Sequence, residues 1–371
     1  MLILLAALAR ADEPGDPLSW YALPTIDYSS DWGLGGGLSG GLYFERDDMA
    51  PYKSAIELDL YATTKRVQEH SLWFEILQLA DRPVRLQGQL GFQASTTDNY
   101  CGVAGVPDCA PVSEGNTNLL RYSAAFARLA ALWQPTGWPV GLMGDLQGAS
   151  YRPGVFDVAV PYPDSLYAAS FPDGERGRYT TAMIGLLRDT RDDEINPARG
   201  LRADASVRGG GAATGSQWRN LGLNATSVGF LPLTPKLTTA TRIVLDAVWG
   251  EVPTMVLGAF GGWAGGSGLG GDIGRGIRAG RYIGRRKALG QQELRWMPVS
   301  FSVRETPVTL GGVGFFDAGH ITDEDASVSA WGTGAGIRID IGGDFLLRYD
   351  MGLSPVEDWK PYSYIDFGHA F

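Results

Sequence analysis

The sequence predicts an all-β protein, a transmembrane antiparallel β-barrel of about 16 strands, and three observations carry that prediction. Apolar and polar residues alternate with period two along segment after segment. No apolar run approaches the roughly 18 residues that a membrane helix needs. Short and long connections alternate along the chain, the pattern of brief periplasmic turns and extended external loops.

The alternation is visible strand by strand. Ile56, Leu58 and Leu60 interleave with Glu57, Asp59 and Tyr61. Val84, Leu86, Leu90 and Phe92 interleave with Arg85, Gln87, Gln89 and Gln93. Ile243, Leu245 and Trp249 stand against Arg242 and Asp246; Ile337, Ile339 and Ile341 against Arg338 and Asp340; Leu347, Tyr349 and Met351 against Arg348 and Asp350. A soluble sandwich with one wet face also alternates. Here the polar parity holds charges of both signs on strand after strand, as a lumen would. Strand starts are expected near Trp20, Trp32, Ser54, Ser71, Pro83, Asn118, Trp138, Arg178, Arg199, Gln217, Leu237, Arg286, Val303, Ser327, Asp344 and Tyr362. The connections at Ala80 to Pro83, Pro135 to Trp138, Leu233 to Lys236 and Gly342 to Gly343 are short. Those at Tyr100 to Gly115, Pro153 to Arg176 and Val252 to Gly284 are long. An even strand count with the N-terminus inside puts every long loop outside.

Residues 1–11 are apolar and end in Ala9-Arg10-Ala11, an A-x-A cleavage pattern, and are expected to be a signal-peptide remnant. Residues 12–19 are expected to be a tail and 20–371 the barrel. In an exported chain, Cys101 and Cys109 are expected to form a small disulfide stapling a loop. Their spacing matches no zinc motif, and His70, His320 and His369 have no metal spacing, so no metal or cofactor is expected. Gly35, Gly37 and Gly40 match G-x-G-x-x-G, as do Gly266, Gly268 and Gly271, but neither set leads into a helix, so the dinucleotide reading fails. No nucleophile motif is present, and the chain is not expected to be an enzyme.

The charge distribution is uneven. Net charge is -10, yet six of the thirteen residues from Arg275 to Lys287 are cationic: Arg275, Arg278, Arg281, Arg285, Arg286 and Lys287. Nucleic acid would want stacking aromatics, and only Tyr282 is nearby, so no nucleic-acid partner is expected. Lipopolysaccharide or another surface anion could meet the loop's tip arginines.

Four segments together resemble the BamA/TamA family, the bacterial surface-antigen superfamily of outer-membrane assembly barrels. RDTRDDEINPARG, Arg188 to Gly200, resembles that family's acidic periplasmic turn, through Asp189, Arg191, Asp192, Asn196, Pro197 and Gly200. GRGIRAGRY, Gly274 to Tyr282, resembles its V-R-G-[FY] loop at Arg275 and Gly276, with Gly274 and Ile277 standing where the family has an apolar and an aromatic residue. FFDAG resembles its F-x-D-x-G strand at Phe315, Asp317 and Gly319. YIDFGHAF, with Phe367 and Phe371, resembles the aromatic-ended final strand read by the barrel-insertion machinery. The likeness is clear from Arg178 to Phe371.

The resemblance implies a long external loop folding into the lumen, where Arg275 meets Asp317 as a latch. Glu293, Arg295, Arg338 and Asp350 supply further lumen charge. It also implies a Gram-negative outer-membrane barrel without POTRA domains, assisting insertion or translocation of proteins or lipids. The first strand, Trp20 to Tyr28, would pair weakly with the last, Tyr362 to Phe371, and Pro24 removes one ladder donor there. Expected partners are outer-membrane lipid including lipopolysaccharide, client outer-membrane proteins or a periplasmic partner, and the insertion machinery for the barrel's own assembly. The alternative is a passive pore or structural anchor barrel that has lost insertase activity.

Overall fold

The computed structural model describes residues 18–29, 33–46, 49–104, 119–153, 166–171, 174–194, 196–263, 269–271, 273–278, 280–324, 326–343 and 345–371. The expected signal remnant, residues 1–11, lies outside them, as do most of the expected tail and Cys109.

Among the described residues sixteen strands follow one another in sequence order in a single antiparallel sheet. They are β1 (Leu18–Ser29), β2 (Gly33–Arg46), β3 (Met49–Thr63), β4 (Gln68–Ile76), β5 (Val84–Asn99), β6 (Leu119–Trp133), β7 (Gly141–Pro153) and β8 (Gly177–Asp189). The second half holds β9 (Gly200–Gly210), β10 (Asn220–Thr234), β11 (Leu237–Gly250), β12 (Arg286–Val303), β13 (Thr306–Thr322), β14 (Ser327–Ile341), β15 (Phe345–Leu353) and β16 (Tyr362–Phe367). Among the described residues two short α-helices, α1 (Leu166–Ser170) and α2 (Thr254–Gly258), sit in long loops. Among the described residues no helix is long and apolar enough to cross a membrane, so crossing falls to the strands. The first strand starts at Leu18, inside the segment expected to be a tail.

Alternation partitions the wall. Ile184, Leu223, Leu245, Trp296, Phe316 and Ile337 are exposed on the outer face. Their neighbours on the same strands, among them Arg242, Glu293, Arg295, Asp317 and Arg338, are buried inside. Burial here means enclosure by the wall and by loop segments folded into it. Buried clusters lie across the lumen rather than between layers, and one of them joins Phe260, Leu269, Ile273, Ile277 and Tyr282 of the β11–β12 loop to Val244, Leu289, Ile321 and Ala330 of the wall.

The ladder is not joined between its ends. Among the described residues β1 pairs with β2 alone and β16 with β15 alone. Pro24 lies inside β1 opposite Leu38.

The last strand is also shorter than the expected Tyr362 to Phe371. It stops at Phe367, and Phe371 is not on a strand. Gly368 takes φ +78°, a left-handed turn open to glycine, and its N–H donates to Leu346 O at 2.7 Å. The chain then turns inward. Arg295 Nη2 donates to the Phe371 carbonyl at 2.8 Å, and its guanidinium lies over the Phe371 ring, 5.4 Å from the centroid. Phe371 packs against Val228, Phe230 and Ala240. An available cation and apolar recess inside the barrel outcompete continuation of the ladder.

That tail carries a pH dependence. His369 bonds Asn196 Oδ1 at 2.9 Å through Nε2. Burial holds its pKa well below the usual value, and the Arg295, Arg338 and Arg348 charges push the same way against Glu293. A released His369 takes a proton near its ordinary pKa of about 6.5, and the docked one does not. Docking stability is therefore complete above that pH and is lost as pH falls below it. The temperature of heat-induced migration change should fall between pH 7.5 and 5.5, and His369→Gln should flatten that fall. An unchanged slope in the variant would remove His369 from the account.

Candidate functional site: a latched lumen

Arg275 lies in the β11–β12 connection, and its side chain is fully buried. Its Nε and Nη2 donate to Asp317 Oδ2 and Oδ1 at 2.9 and 3.0 Å, a two-pronged pair. Its own backbone N–H adds a third bond to Asp317, at 3.0 Å. Nη1 reaches Glu293 at 2.6 Å and Asp350 at 3.0 Å. The guanidinium stacks 3.6 Å from the Phe315 ring centroid, so one face is covered by a π-surface while the edge is satisfied by carboxylates.

The three acids come from β12, β13 and β15, each at lumen parity. Arg338 on β14 clamps Asp350 with bonds of 2.6 and 3.2 Å. Arg295 on β12 donates to Glu293 at 2.8 Å. Arg348 on β15 adds a contact to Asp350 at 3.6 Å and pairs with Asp366 on β16 at 2.8 Å. Four buried arginines thus share three buried carboxylates and Asp366, and opposite charges in contact are what make them tolerable in a low-dielectric interior.

Glycines make room for the loop. A Cβ on Gly332 would stand 2.0 Å from Arg275 O, and one on Gly352 would stand 2.5 Å from Gly276 N. On Gly334 it would meet the Phe315 ring at 2.6 Å, and on Gly319 the Leu269 side chain at 2.7 Å. Gly276 itself has φ +93°, and its N–H donates to Tyr364 Oη at 2.9 Å on β16. Gly332, Gly334 and Gly352 were not singled out by sequence. Alternating glycines in W-G-T-G-A-G at lumen parity are the signal that could have found them.

The rest of the cationic segment also turns inward. Arg278 and Arg281 both contact Glu357, at 3.1 and 2.8 Å, in the short helical turn Pro355–Glu357 between β15 and β16. Arg285 binds Asp323 at 2.7 Å. The Lys287 ammonium lies 3.4 Å from Asp246. Arg286 alone of the six is exposed on the outer face.

The loop has two further docking points. Arg208 and Asp246 form a buried two-pronged pair at 2.9 and 3.0 Å, and Gly261 N–H donates to Asp246 at 3.0 Å. A Cβ on Gly261 would overlap Arg208, and one on Gly262 would overlap Asn224. Beyond them Arg128 of β6, which also binds Asp145, donates to the Trp263 carbonyl at 2.9 Å. The Trp263 side chain packs among Ala130, Met143, Met183 and Leu187. The loop therefore reaches across the barrel, from the β12–β15 wall to the β6–β8 wall.

Both mouths are obstructed. Outside, Tyr100, Tyr167, Val252, Leu257 and Ile283 from three loops form an apolar lid with Tyr179 of β8. Glu175 accepts from Thr254 N at 3.0 Å, and Ala104 N donates to Ile283 O at 2.7 Å. Cys101, beside that contact, is disulfide-bonded. On the inside, the β8–β9 turn folds under the lumen. Asp189 pairs with Arg191 at 2.6 Å, and Asp192 accepts from Ala198 N and Arg199 N at 3.0 and 3.1 Å. Pro197 is buried, and Gly200 has φ +106°, where a Cβ would stand 2.3 Å from Thr190 O. Asn196 bridges the turn to Asp340 of β14 at 2.9 Å and to His369. Phe367 ends β16 opposite Leu347. Among the described residues no group of three His, Cys, Asp or Glu side chains is placed to hold a metal.

Residues 148–360 match the Omp85 superfamily domain, more than half of the chain. The fold is similar to that of BamA from Haemophilus ducreyi lacking POTRA domains 1–3, at 14% identity and a TM-score of 0.57, covering 99% of this chain and 74% of that one. It is also similar to CdiB from Escherichia coli, at 16% identity and a TM-score of 0.61, covering 99% of this chain and 66% of that one. A comparison with curated proteins found no match.

Proposed function

We propose that this chain, which belongs to the Omp85 superfamily and is an outer-membrane β-barrel, assists the insertion of client β-strand proteins into a Gram-negative outer membrane. The observation that carries the reading is the unjoined ladder between β1 and β16. A strand edge without a partner offers a row of N–H and C=O groups that an incoming strand can pair with. β1 is twelve residues long, whereas β16 is six. The mechanism involves strand exchange rather than bond chemistry. Client outer-membrane proteins and a periplasmic delivery partner are the interactions this function requires.

A second reading is a structural or anchor barrel, and the obstructed lumen favours it over an open pore. The β11–β12 loop, the external lid and the β8–β9 turn all fill space that a conducting channel would leave to water.

Liposomes holding the protein should fold an added client barrel at least several times faster than protein-free liposomes, read by the client's heat-modifiable band. Equal folding rates in the two would overturn the insertion reading and leave the structural one.

A further inference from the structure

The outer wall of β7–β13 is not smooth. It holds a cavity of about 770 Å³ lined mostly by outward-facing residues, with lumen-facing Ser206, Asn224, Asp246 and Lys287 also bordering it. A barrel wall is convex, so a recess of this size needs a local deficit of side-chain volume. The deficit is a row of small residues. Ala205 on β9 sits opposite Ala225 on β10, and beyond Leu245 on β11 the row continues through Ala288 on β12 to His320 on β13. Leu186, Leu223 and Leu245 stand proud around it and are exposed.

The external end of the recess is marked by Arg286, the first residue of β12 and part of the lining. It is exposed, points outward by alternation with buried Lys287, and has no ion-pair partner among the described residues. Every other cation of the Arg275 to Lys287 segment lies within 3.4 Å of a carboxylate. His320 stands at the end of the small-residue row, with its Nδ1 2.8 Å from Ser329 Oγ.

The occupant follows from depth and charge. At the level of Ala205 and Ala225 the surroundings are hydrocarbon, so only acyl chain can fill the recess. An unpaired guanidinium at the membrane rim is stabilised where the facing headgroup is anionic, and phosphate oxygens match its planar fork. Among the described residues no carboxylate supplies that anion: the neighbouring Asp323 is held by Arg285 and Asp246 by Arg208 and Lys287. We propose that this face binds a phosphorylated acyl lipid of the external leaflet, with an acyl chain in the alanine recess and the phosphate on Arg286 beside His320. The site requires only that the barrel stand in a membrane, so it stands or falls independently of client insertion.

The test uses the full chain in nanodiscs of phosphatidylcholine doped with lipid A or with its dephosphorylated form, followed by native mass spectrometry of retained lipid. The wild-type protein should retain lipid A in preference to the dephosphorylated form. Arg286→Ala should cut lipid A retention by about fivefold, the effect of one basic residue at an anionic surface. Ala225→Leu, which fills the recess with an outward apolar side chain, should reduce retention of both forms. Arg188→Ala, an exposed outward arginine at the opposite end of β8, should leave retention unchanged. Heat-modifiable migration shows that each variant is folded. Equal retention of the two lipids by the wild type, or equal losses from Arg286→Ala and Arg188→Ala, would overturn the site.

Discussion

Asp317→Asn is expected to lower the temperature at which the folded barrel band converts to the unfolded one, and by far more than Asp323→Asn. Asp317 accepts three bonds from Arg275, two from the guanidinium and one from the backbone. An asparagine keeps one acceptor oxygen and turns an N–H₂ group toward a cation. Stranding a buried charge typically costs about 3–5 kcal/mol. The expected loss lies at the low end, because Glu293 and Asp350 still hold Nη1. Asp323 binds Arg285, which is nearly one-third exposed. Solvent screens that pair, and its loss should cost about 0–1 kcal/mol. Equal shifts in the two variants would count against the latch as a stabilising element.

Gly352→Val is expected to drive the loop out of the lumen. The new Cβ would stand 2.5 Å from Gly276 N and 2.8 Å from Arg275 C, and these are backbone atoms without rotamers to yield. Overpacking of this kind costs about 1–3 kcal/mol and occasionally more. At the upper value the ratio of docked to undocked loop falls about a hundredfold, since each 1.4 kcal/mol is about tenfold. In planar bilayers the wild-type protein should be nearly silent, and Gly352→Val should show frequent openings. Gly290→Val is the control: it is exposed on the outer face, and a Cβ there meets nothing within 4 Å. Silent Gly352→Val channels would mean that the Gly261 and Trp263 docking points hold the loop by themselves. Retained closure would then be lost only on also replacing Arg128 or Asp246.

Strand positions were legible because alternation is local. The expected starts at Leu237, Arg286, Ser327 and Tyr362 coincide with observed ones. The lumen parity of Glu293, Arg295, Asp317, Arg338 and Asp350 followed from the same periodicity. The Arg275–Asp317 contact came from family likeness, since no local pattern links residues 42 apart. Asp350 as a second partner of Arg275, 75 residues away, had no such guide. Nor did the crossing of Trp263 to Arg128, which lie 135 residues apart. The inward turn after Gly368 ran against expectation, because ladder continuation is what alternation predicts and Arg295 is what stops it.

The sequence by itself determined the strand number, the division of each strand into a lipid face and a lumen face, and the concentration of cations in one loop. Those properties depend on neighbours two residues apart. Only the tertiary structure decided where each cation goes. Arg275, Arg278, Arg281, Arg285 and Lys287 fold inward onto carboxylates, and Arg286 alone faces the membrane. Ion pairing depends on distance in space, and curvature of the wall brings Glu293, Asp317 and Asp350 from three strands to a single guanidinium.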